Sequence, residues 1–239
     1  MELHYFKTLP STSLEAAAQA KKGAPHLYTV IAEEQSAGRG RMQRRFFSPH
    51  GGLYFSTVLR TALPMSKYTA ITPFAALAVR LAIQSDCGLC VDVKWVNDLL
   101  YQGRKICGIL AESGVDQNGA SYVILGIGIN THTVDFPPEL AEIAASIPCP
   151  DREALLRCVL QNLASLDKEL ERGAWRKEYR AACSALGKEV LVIGGEVQKK
   201  AIAQDILADG ALRVLYPDGT CEDLHGAEIS LRMTQTKKN

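Results

Sequence analysis

A short segment rich in glycine and arginine is the clearest place for chemistry in this chain. It runs from Gly38 to Arg45 as GRGRMQRR, with arginines at 39, 41, 44 and 45. Glycine lets the backbone approach a ligand closely, and the planar guanidinium of arginine matches the paired oxygens of a phosphate or carboxylate. The segment therefore fits either an anion-binding loop that closes over a polyanionic ligand or a solvated basic turn.

The overall charge bounds what kind of anion such a loop could bind. The chain has 239 residues, 47% of them apolar, and a formal net charge of +1. That apolar fraction predicts a globular core. A net charge so close to zero gives no overall electrostatic field that would attract nucleic acid or anionic lipid. The first residues lack a basic segment followed by an apolar one, so we expect a soluble, cytoplasmic protein that binds a small ligand.

The cysteines do not indicate a metal centre. There are seven, an odd number, scattered along a chain without a secretion signal, which predicts free thiols. The one CxxC, Cys87 to Cys90, lies between a helical pattern and a strand and is better interpreted as a turn than as half of a zinc site. We expect no structural metal.

Polar side chains stand at the ends of the elements around the loop. Ser11, Thr12 and Ser13 precede an alanine-rich helix, where hydroxyls either cap the helix or bind a ligand. Gln35 ends a strand that runs from Leu27 to Glu34, immediately before the loop.

The next strand, Leu53 to Arg60, carries Tyr54, Ser56 and Val58 on one side and apolar residues on the other. Its polar side is a plausible pocket wall beside the loop.

Further along the chain, a strand near Lys94 is followed by an expected polar break at Asn97-Asp98. Asn118-Gly119 then predicts a hairpin that joins Lys105–Val115 to Ser121–Asn130. The second of these strands contains GIGIN, and alternating glycines mark the close approach of a ligand or of another backbone.

Helical periodicity predicts two long amphipathic helices, Ala70–Gln84 and Arg152–Arg172. From Gly187 the chain becomes a series of short strands separated by Gly-Gly and Asp-Gly turns, which is typical of a small β-barrel. The predicted fold class is α+β, a mixed or antiparallel sheet with helices packed on one side, and the predicted domains are 1–186 and 187–235.

Five motifs together carry a resemblance to a known family. In order they are GRGR (38–41), SPHGGLYFS (48–56), KWVND (94–98), Lys105 with GIL (108–110), and GIGIN (126–130). This ordered set resembles the signature of biotin protein ligases, and the match covers most of the chain. The resemblance implies a class II synthetase-like catalytic domain of the biotin/lipoate ligase type, followed by an SH3-like domain.

The resemblance also implies a reaction. Enzymes of this family use ATP, with Mg²⁺, to convert biotin into biotinyl-5'-AMP, and then transfer biotin to a lysine on the carrier domain of a biotin-dependent carboxylase. The expected partners are thus biotin, ATP and a biotin carboxyl carrier protein or domain, with a possible second copy of the chain as a homodimer and no nucleic acid or membrane.

Site residues follow from the motif positions. Ser11, Thr12 and Gln35 correspond to contacts with the ureido ring of biotin, and Ser13 to another polar contact in the biotin pocket. The other implied biotin contacts are Gly38, Arg39, Gly40, Arg41, Tyr54, Ser56, Lys105, Gly108, Leu110, Gly126 and Ile127.

For the nucleotide, the resemblance implies an adenylate set made of Arg39, Arg41, Arg44, Phe46, Lys94, Asn97 and Asn130. Lys105 corresponds to the catalytic lysine, assisted by Arg41 and Asp98. Asp98 is in addition the candidate Mg²⁺ contact.

The chain departs from the family pattern in three places. Met42-Gln43 replaces an Arg-Gly pair, Phe46 replaces a tryptophan that covers the adenine, and Ser13 replaces an asparagine. These departures concern loop flexibility, adenine stacking and one polar contact in the biotin pocket.

Three other functions compete with this interpretation. A lipoate or octanoate transferase would not need the polar cluster of Ser11, Thr12 and Gln35. A biotin-responsive repressor would need an N-terminal helix-turn-helix, and ten residues precede Ser11. A binder without catalysis would not need Lys105 and Arg41.

Overall fold

The computed structural model describes residues 1–132, 135–194, 197–226 and 229–233, so the predicted end of the second domain at 235 lies outside the described residues. The strands are β1 Glu2–Leu9, β2 Tyr28–Gln35, β3 Leu53–Leu59, β4 Asp92–Lys94, β5 Asp98–Tyr101, β6 Arg104–Val115, β7 Ser121–Ile129, β8 Glu189–Gly194, β9 Val197–Ile206, β10 Leu212–Leu215, β11 Cys221–Leu224 and β12 Ile229–Met233. The α-helices are α1 Thr12–Lys21, α2 Ile71–Cys87, α3 Pro138–Ala141, α4 Arg152–Ala164, α5 Leu166–Arg172 and α6 Trp175–Ala182.

The larger sheet has seven strands in the order β1-β2-β3-β7-β6-β5-β4. β1 and β2 are parallel because α1 crosses between them, and the remaining pairs are antiparallel. The predicted hairpin is β6–β7, with Gly119 at a φ of 80° in its turn. This order brings the two glycine-containing strands, β6 and β7, to the centre of the sheet.

The two faces of this sheet differ in what covers them. Phe55 and Leu59 of β3 lie in the main core with α2, α4, α5 and α6, whereas Val58 packs with Ala16 and Ala20 of α1 on the opposite face. The predicted fold class is confirmed, with one addition: a helix, α1, also covers part of the second face. Its small alanines let it lie close to the strands, and its first turn reaches the end of that face where the polar residues lie.

The smaller sheet is antiparallel, in the order β11-β10-β9-β8-β12. It packs against the larger one, since the indole nitrogen of the buried Trp95 donates to the carbonyl of Gly210 at 3.0 Å. This is the small C-terminal unit that the short strands after Gly187 predict.

Local predictions were wrong in two places. Asp98 does not stand in a break but begins β5, where it pairs with both Lys94 and Gly108. The predicted helix Arg152–Arg172 is two helices, because the Ser165 hydroxyl donates to the carbonyl of Asn162 at 2.9 Å and competes with the helical ladder. In the described part of the chain, no helix is long and apolar enough to cross a membrane.

Candidate functional site

The floor of the site is a patch of glycines at the centre of the sheet. Gly126 pairs with Ser56 on one side and Leu110 on the other, and Gly128 pairs with Gly108. A Cβ atom added at Gly126 would lie 2.5 Å from the Ser13 Oγ. These glycines let other groups lie directly on the backbone of the sheet, which explains their alternation along β7.

A network of buried hydroxyls and one amide borders this floor. The Ser56 Oγ lies 2.8 Å from the Thr12 Oγ1 and 3.0 Å from the Ser13 Oγ. The Gln35 Oε1 accepts from the Thr12 backbone nitrogen at 2.8 Å and from the Thr12 Oγ1 at 3.1 Å. On its other side, the Gln35 Nε2 donates to the Ser48 Oγ at 2.9 Å. The structure thus brings together Thr12, Ser13, Gln35 and Ser56, as the sequence predicted.

Ser11 stands at the start of α1 but does not cap it. Its backbone is extended, as in an N-cap residue, yet its hydroxyl makes no bond to the first turn. The residue is 2% exposed, and among the described residues the Ser11 Oγ has no hydrogen-bond partner. Helix capping therefore does not account for this hydroxyl. Since a buried hydroxyl without a partner costs about 1–3 kcal/mol, the Ser11 hydroxyl is available to bind a ligand.

The glycine-arginine loop is folded back on itself. The Phe46 nitrogen donates to the Gly38 carbonyl at 2.9 Å, and the Gly40 nitrogen donates to the Arg44 carbonyl at 2.8 Å. At the tip, Met42 has a φ of 54° and Gln43 a φ of 58°. The left-handed region suits glycine far better than these bulky residues, so the tip departs from what its sequence favours.

Arg39 forms a forked ion pair with Glu112 of β6. Its Nη2 lies 2.8 Å from the Glu112 Oε1, and its Nη1 donates to the Oε2 at 3.2 Å. Glu112 lies on β6 two residues beyond Leu110 and so on the same face of the strand. The fork ties the start of the loop to the central strand of the site.

Arg41 is held more deeply. Its Nη1 donates to the Asn97 Oδ1 at 3.0 Å, and its Nη2 donates to the carbonyl of Gly226, which follows β11. Burial lowers the pKa of Arg41 below its ordinary value, while the charge of Asp98 opposes that shift. The guanidinium therefore lies beside both a carboxylate and the smaller sheet.

Lys105 and Asp98 form an ion pair beside the glycine floor. The Lys105 Nζ lies 2.7 Å from the Asp98 Oδ1, and a Cβ atom added at Gly108 would be 3.2 Å from the same Nζ. Lys105, Asp98 and Arg41 thus form a cluster of two cations and one anion at the end of the floor, as the resemblance implied.

Phe46 lies on the glycine floor. A Cβ atom added at Gly128 would be 2.4 Å from the Phe46 ring. The Lys105 Nζ lies 5.7 Å from the centre of this ring, and the centre of the Tyr54 ring lies 6.4 Å from it. In this structure the ring occupies space above the floor that a ligand on the glycines would also need.

Other predicted residues have structural partners. The Tyr54 hydroxyl donates to the Pro49 carbonyl at 2.9 Å, and burial raises the pKa of Tyr54. The Asn130 Nδ2 donates to the Ala145 carbonyl at 3.1 Å. Ile127 lies in the main core on the far face, so its side chain does not line the floor. Arg44 is exposed, and Lys94 pairs with Asp98 across β4 and β5.

Sequence reasoning missed three contributors to the site. Sequence patterns place Ser48 only in a family motif, Glu112 only in a strand, and Gly226 only in the smaller unit. Their partners are 13 residues away for Ser48, 73 for Glu112 and 185 for Gly226. The one local signal was the placement of Glu112 on the same face as Gly108 and Leu110.

The cluster of Lys105, Arg41 and Asp98 offers one carboxylate to a divalent cation. No cluster of three or more His, Cys, Asp or Glu side chains able to hold a metal occurs in the described ranges. Mg²⁺ commonly keeps several waters and binds through one or two carboxylates plus the phosphates of its substrate. Asp98 alone fits that mode, although its Oδ1 is paired with Lys105.

Two family profiles match this chain. Residues 5–130 match the profile described as the biotin/lipoate A/B protein ligase family, and residues 185–232 match the biotin protein ligase C-terminal domain.

Several characterised proteins are similar in sequence. A bifunctional ligase/repressor BirA from Bacillus spizizenii is 39% identical over 67% of this chain and 51% of its own length. A biotin–[acetyl-CoA-carboxylase] ligase from Mycobacterium tuberculosis is 30% identical over 84% of this chain and 79% of its own length. The chain spans about half the length of the Bacillus relatives that it matches.

Solved structures share the fold. A biotin protein ligase from Aquifex aeolicus in complex with biotin and ATP superimposes with a TM-score of 0.79 at 24% identity, covering 98% of this chain and 99% of that one. A biotin protein ligase from Leishmania major with biotinyl-5-AMP gives a TM-score of 0.65 at 25% identity, covering 93% and 98%.

Proposed function

The chain belongs to the biotin/lipoate A/B protein ligase family, and on that premise we propose that it is a biotin protein ligase. It would activate biotin with ATP to biotinyl-5'-AMP and transfer the biotinyl group to a lysine of a biotin carrier domain. The observation that carries this proposal is the buried hydroxyl and amide network, with its unpartnered Ser11 hydroxyl, next to the cluster of Lys105, Arg41 and Asp98.

The network supports a cyclic urea as the ligand. A urea presents two N–H donors and one carbonyl acceptor, and burying it without partners would cost several kcal/mol. Ser11, Thr12, Ser13, Gln35 and Ser56 provide neutral donors and acceptors at one end of the glycine floor. The dithiolane ring of lipoate has no hydrogen-bonding groups that would require them.

The charged cluster supports adenylation at the other end. The biotin carboxylate attacks the α-phosphorus of ATP, the bond to the β-phosphate breaks, and pyrophosphate leaves. Two anions must meet, so Lys105 and Arg41 reduce their repulsion and stabilise the charge that develops at phosphorus. Arg39, which is paired with Glu112 in this structure, would reach the same region from the loop once that pair is released.

In the second step, the carrier lysine attacks the carbonyl carbon of the mixed anhydride. The bond to AMP breaks, AMP leaves, and the attacking amine loses a proton. Closure of the loop over the intermediate would exclude water, which otherwise hydrolyses the anhydride. Mg²⁺ bound with ATP would be contacted by Asp98 and would neutralise phosphate charge.

The direct test is transfer to a carrier. The protein is incubated with biotin, Mg·ATP and a biotin carrier domain, and the intact mass of the carrier is measured. We expect the mass of one biotinyl group to be added, dependent on ATP and abolished when the acceptor lysine of the carrier is replaced by arginine. Addition of lipoate or octanoate but not biotin would make the chain a lipoate-type transferase instead.

A further inference from the structure

Ser48 is buried between the amide of Gln35 and the start of the glycine-arginine loop. The residue is 3% exposed, and its Oγ donates to the Phe46 carbonyl at 3.0 Å while accepting from the Gln35 Nε2 at 2.9 Å. The backbones of Gln35 and Ser48 also pair, since the Gln35 nitrogen donates to the Ser48 carbonyl at 2.9 Å. Ser48 is thus fixed by its main chain in front of the Gln35 side chain.

Ser48 has one hydroxyl proton, and the use of that proton fixes the orientation of the Gln35 side-chain amide. Because the proton goes to the Phe46 carbonyl, which can only accept, the Ser48 oxygen receives the amide NH₂ of Gln35. The Gln35 Oε1 then faces Thr12, whose backbone nitrogen can only donate. A carbonyl at one end and an N–H at the other therefore both favour the same orientation.

That orientation determines the donors along the rest of the network. The Thr12 hydroxyl donates to the Gln35 Oε1, so the Ser56 hydroxyl must be the donor toward the Thr12 Oγ1. Because the Ser56 hydroxyl proton is used in this bond, the Ser13 hydroxyl must be the donor toward the Ser56 Oγ. The lone pairs of Ser13 remain to accept from a ligand N–H, and the unpartnered Ser11 hydroxyl can donate to a ligand carbonyl.

We propose that Ser48 is a positioning residue for substrate recognition: by holding the Gln35 amide, it keeps the hydroxyl network in the donor and acceptor order that a urea requires. This inference rests on the proposed function. Ser48 would not touch biotin, and its effect would reach biotin through Gln35 and Thr12.

The expected signature is selective for biotin. In the Ser48→Ala variant the buried Gln35 Nε2 loses its partner, and the amide is no longer held on that side. We expect the KM for biotin in biotin-dependent exchange of pyrophosphate into ATP to rise about tenfold or more, with the KM for ATP and the kcat within about twofold of the original protein.

A matched control loses a buried hydroxyl elsewhere in the same sheet. Thr57 is fully buried, and its Oγ1 accepts from the Thr29 Oγ1 at 3.0 Å, outside the network. Thr57→Val should lower the thermal midpoint without changing the KM for biotin. Should Ser48→Ala not fold, Ser48→Cys retains the volume with a much weaker acceptor and should show the same selective rise.

A second ligand sharpens the test. An analogue of biotin methylated on the ureido nitrogens lacks the N–H groups that the ordered network would recognise. The original protein should strongly favour biotin over this analogue, and Ser48→Ala should reduce that preference.

Each outcome decides the inference. An unchanged KM for biotin in both Ser48 variants, an equal rise in the KM for biotin and for ATP, or an unaltered preference over the methylated analogue would overturn the positioning role alone. Absence of biotin-dependent exchange in the original protein would instead overturn the proposed function, and this inference with it.

Discussion

A few side chains carry the proposed chemistry, and their surroundings explain why they suit it. Lys105 is a compact cation held 2.7 Å from Asp98 at the end of the glycine floor. An ammonium in that position can contact a carboxylate and a phosphate together, because its three protons point in different directions. Asp98 orients it and would exchange this contact for one with Mg²⁺ when ATP arrives.

We predict that Lys105→Ala lowers the rate of biotinyl-AMP formation by about two orders of magnitude or more, as expected for the loss of a contact to the transition state. The fold should persist, since Lys105 is half-buried at the edge of the site. The measurement is single-turnover adenylate formation. Lys200→Ala is the control: it removes a lysine paired with Glu189 at 3.1 Å in the smaller sheet. A rate near that of the original protein in Lys105→Ala would remove this lysine from the mechanism.

At the scale of elements, the glycine-arginine loop is the part whose behaviour should change most. In this structure it is folded back and anchored by the Arg39–Glu112 fork and by Arg41. Its tip, Met42-Gln43, is strained by positive φ angles. The exposed Arg39–Glu112 pair adds little resistance to opening, because an exposed ion pair contributes about 0.2–1 kcal/mol.

We predict that trypsin cleaves the ligand-free protein in this loop, after the arginines at 39, 41, 44 and 45, and that biotin with ATP protects it. The adenylate adds negative charge beside the four clustered arginines, whose like charges repel one another. The rate of cleavage, followed by mass spectrometry, is the measurement. Equal rates with and without ligand would mean that the loop is preformed or does not belong to the site.

The Glu112 anchor should affect only the ligand-free loop. We expect Glu112→Gln to speed trypsin cleavage of the loop by a few-fold, because the neutral amide cannot hold the guanidinium of Arg39 with two charge-assisted bonds. Asp223→Asn removes a similar fork to Arg213, at 2.7 and 2.9 Å in the smaller sheet, and should leave loop cleavage unchanged. Identical loop cleavage in the Glu112→Gln variant and the original protein would contradict the anchoring role.

The β6–β7 hairpin holds a second element-scale feature. The Asp116 Oδ1 accepts from the backbone nitrogens of Asn118 and Ala120, and Arg60 lies 2.8 Å from its Oδ2. The pKa of Asp116 lies below its ordinary value, and the largest cause is the hydrogen bond from the Ala120 backbone nitrogen. The bond from Asn118 and the contact with Arg60 lower the pKa further. A depressed carboxyl pKa in the folded state stabilises the protein above the ordinary pKa of aspartate, about 3.9, and that contribution is lost as the pH falls through the lowered value.

We therefore expect Asp116→Asn to lower the thermal midpoint at pH 7, with the difference from the original protein shrinking as the pH falls below about 4. Thermal unfolding followed by circular dichroism between pH 3 and pH 7 measures it. A difference that stays constant with pH would show that shape, and not charge, is what the carboxylate contributes.

At the scale of the whole molecule, the two sheets meet at the site. Trp95 donates to Gly210, and the guanidinium of Arg41 reaches the carbonyl of Gly226. Gly226 also packs closely on the segment before β5, because an added Cβ atom would lie 2.6 Å from the Val96 Cγ1. The smaller sheet therefore contributes to holding the loop.

We predict that Gly226→Ala displaces this carbonyl from Arg41 and weakens retention of the adenylate by several-fold, because the added Cβ atom and the Val96 side chain cannot both keep their positions. Gly194→Ala, at the end of β8 in the smaller sheet, is the matched control, with no neighbouring atom within 4 Å of the added Cβ atom. Release of biotinyl-AMP from a preformed complex is the measurement. Equal release rates in the two variants would mean that the smaller sheet does not hold the loop.

The family and most of the strands could be predicted from the sequence. Alternation along β3 predicted that Tyr54 and Ser56 share one side of the strand, since the side chains of a strand alternate strictly. On β7, by contrast, Ile127 was an implied biotin contact but lies on the far face. The ordered motifs predicted the biotin protein ligase family, and the cluster of Thr12, Gln35 and Ser56 followed from it. These are local or motif-borne features, which a linear sequence displays directly.

Tertiary structure decided the partners of those residues. The unpartnered Ser11, the Ser48–Gln35 bond, the Arg39–Glu112 fork and the Arg41–Gly226 contact depend on groups that only the fold brings together. The break at Ser165 likewise depends on one competing hydrogen bond, which the apolar periodicity of the helix does not reveal. Hydrogen-bond partners and ion pairs are set by angles and distances of a few tenths of an ångström, and no spacing along the chain encodes them.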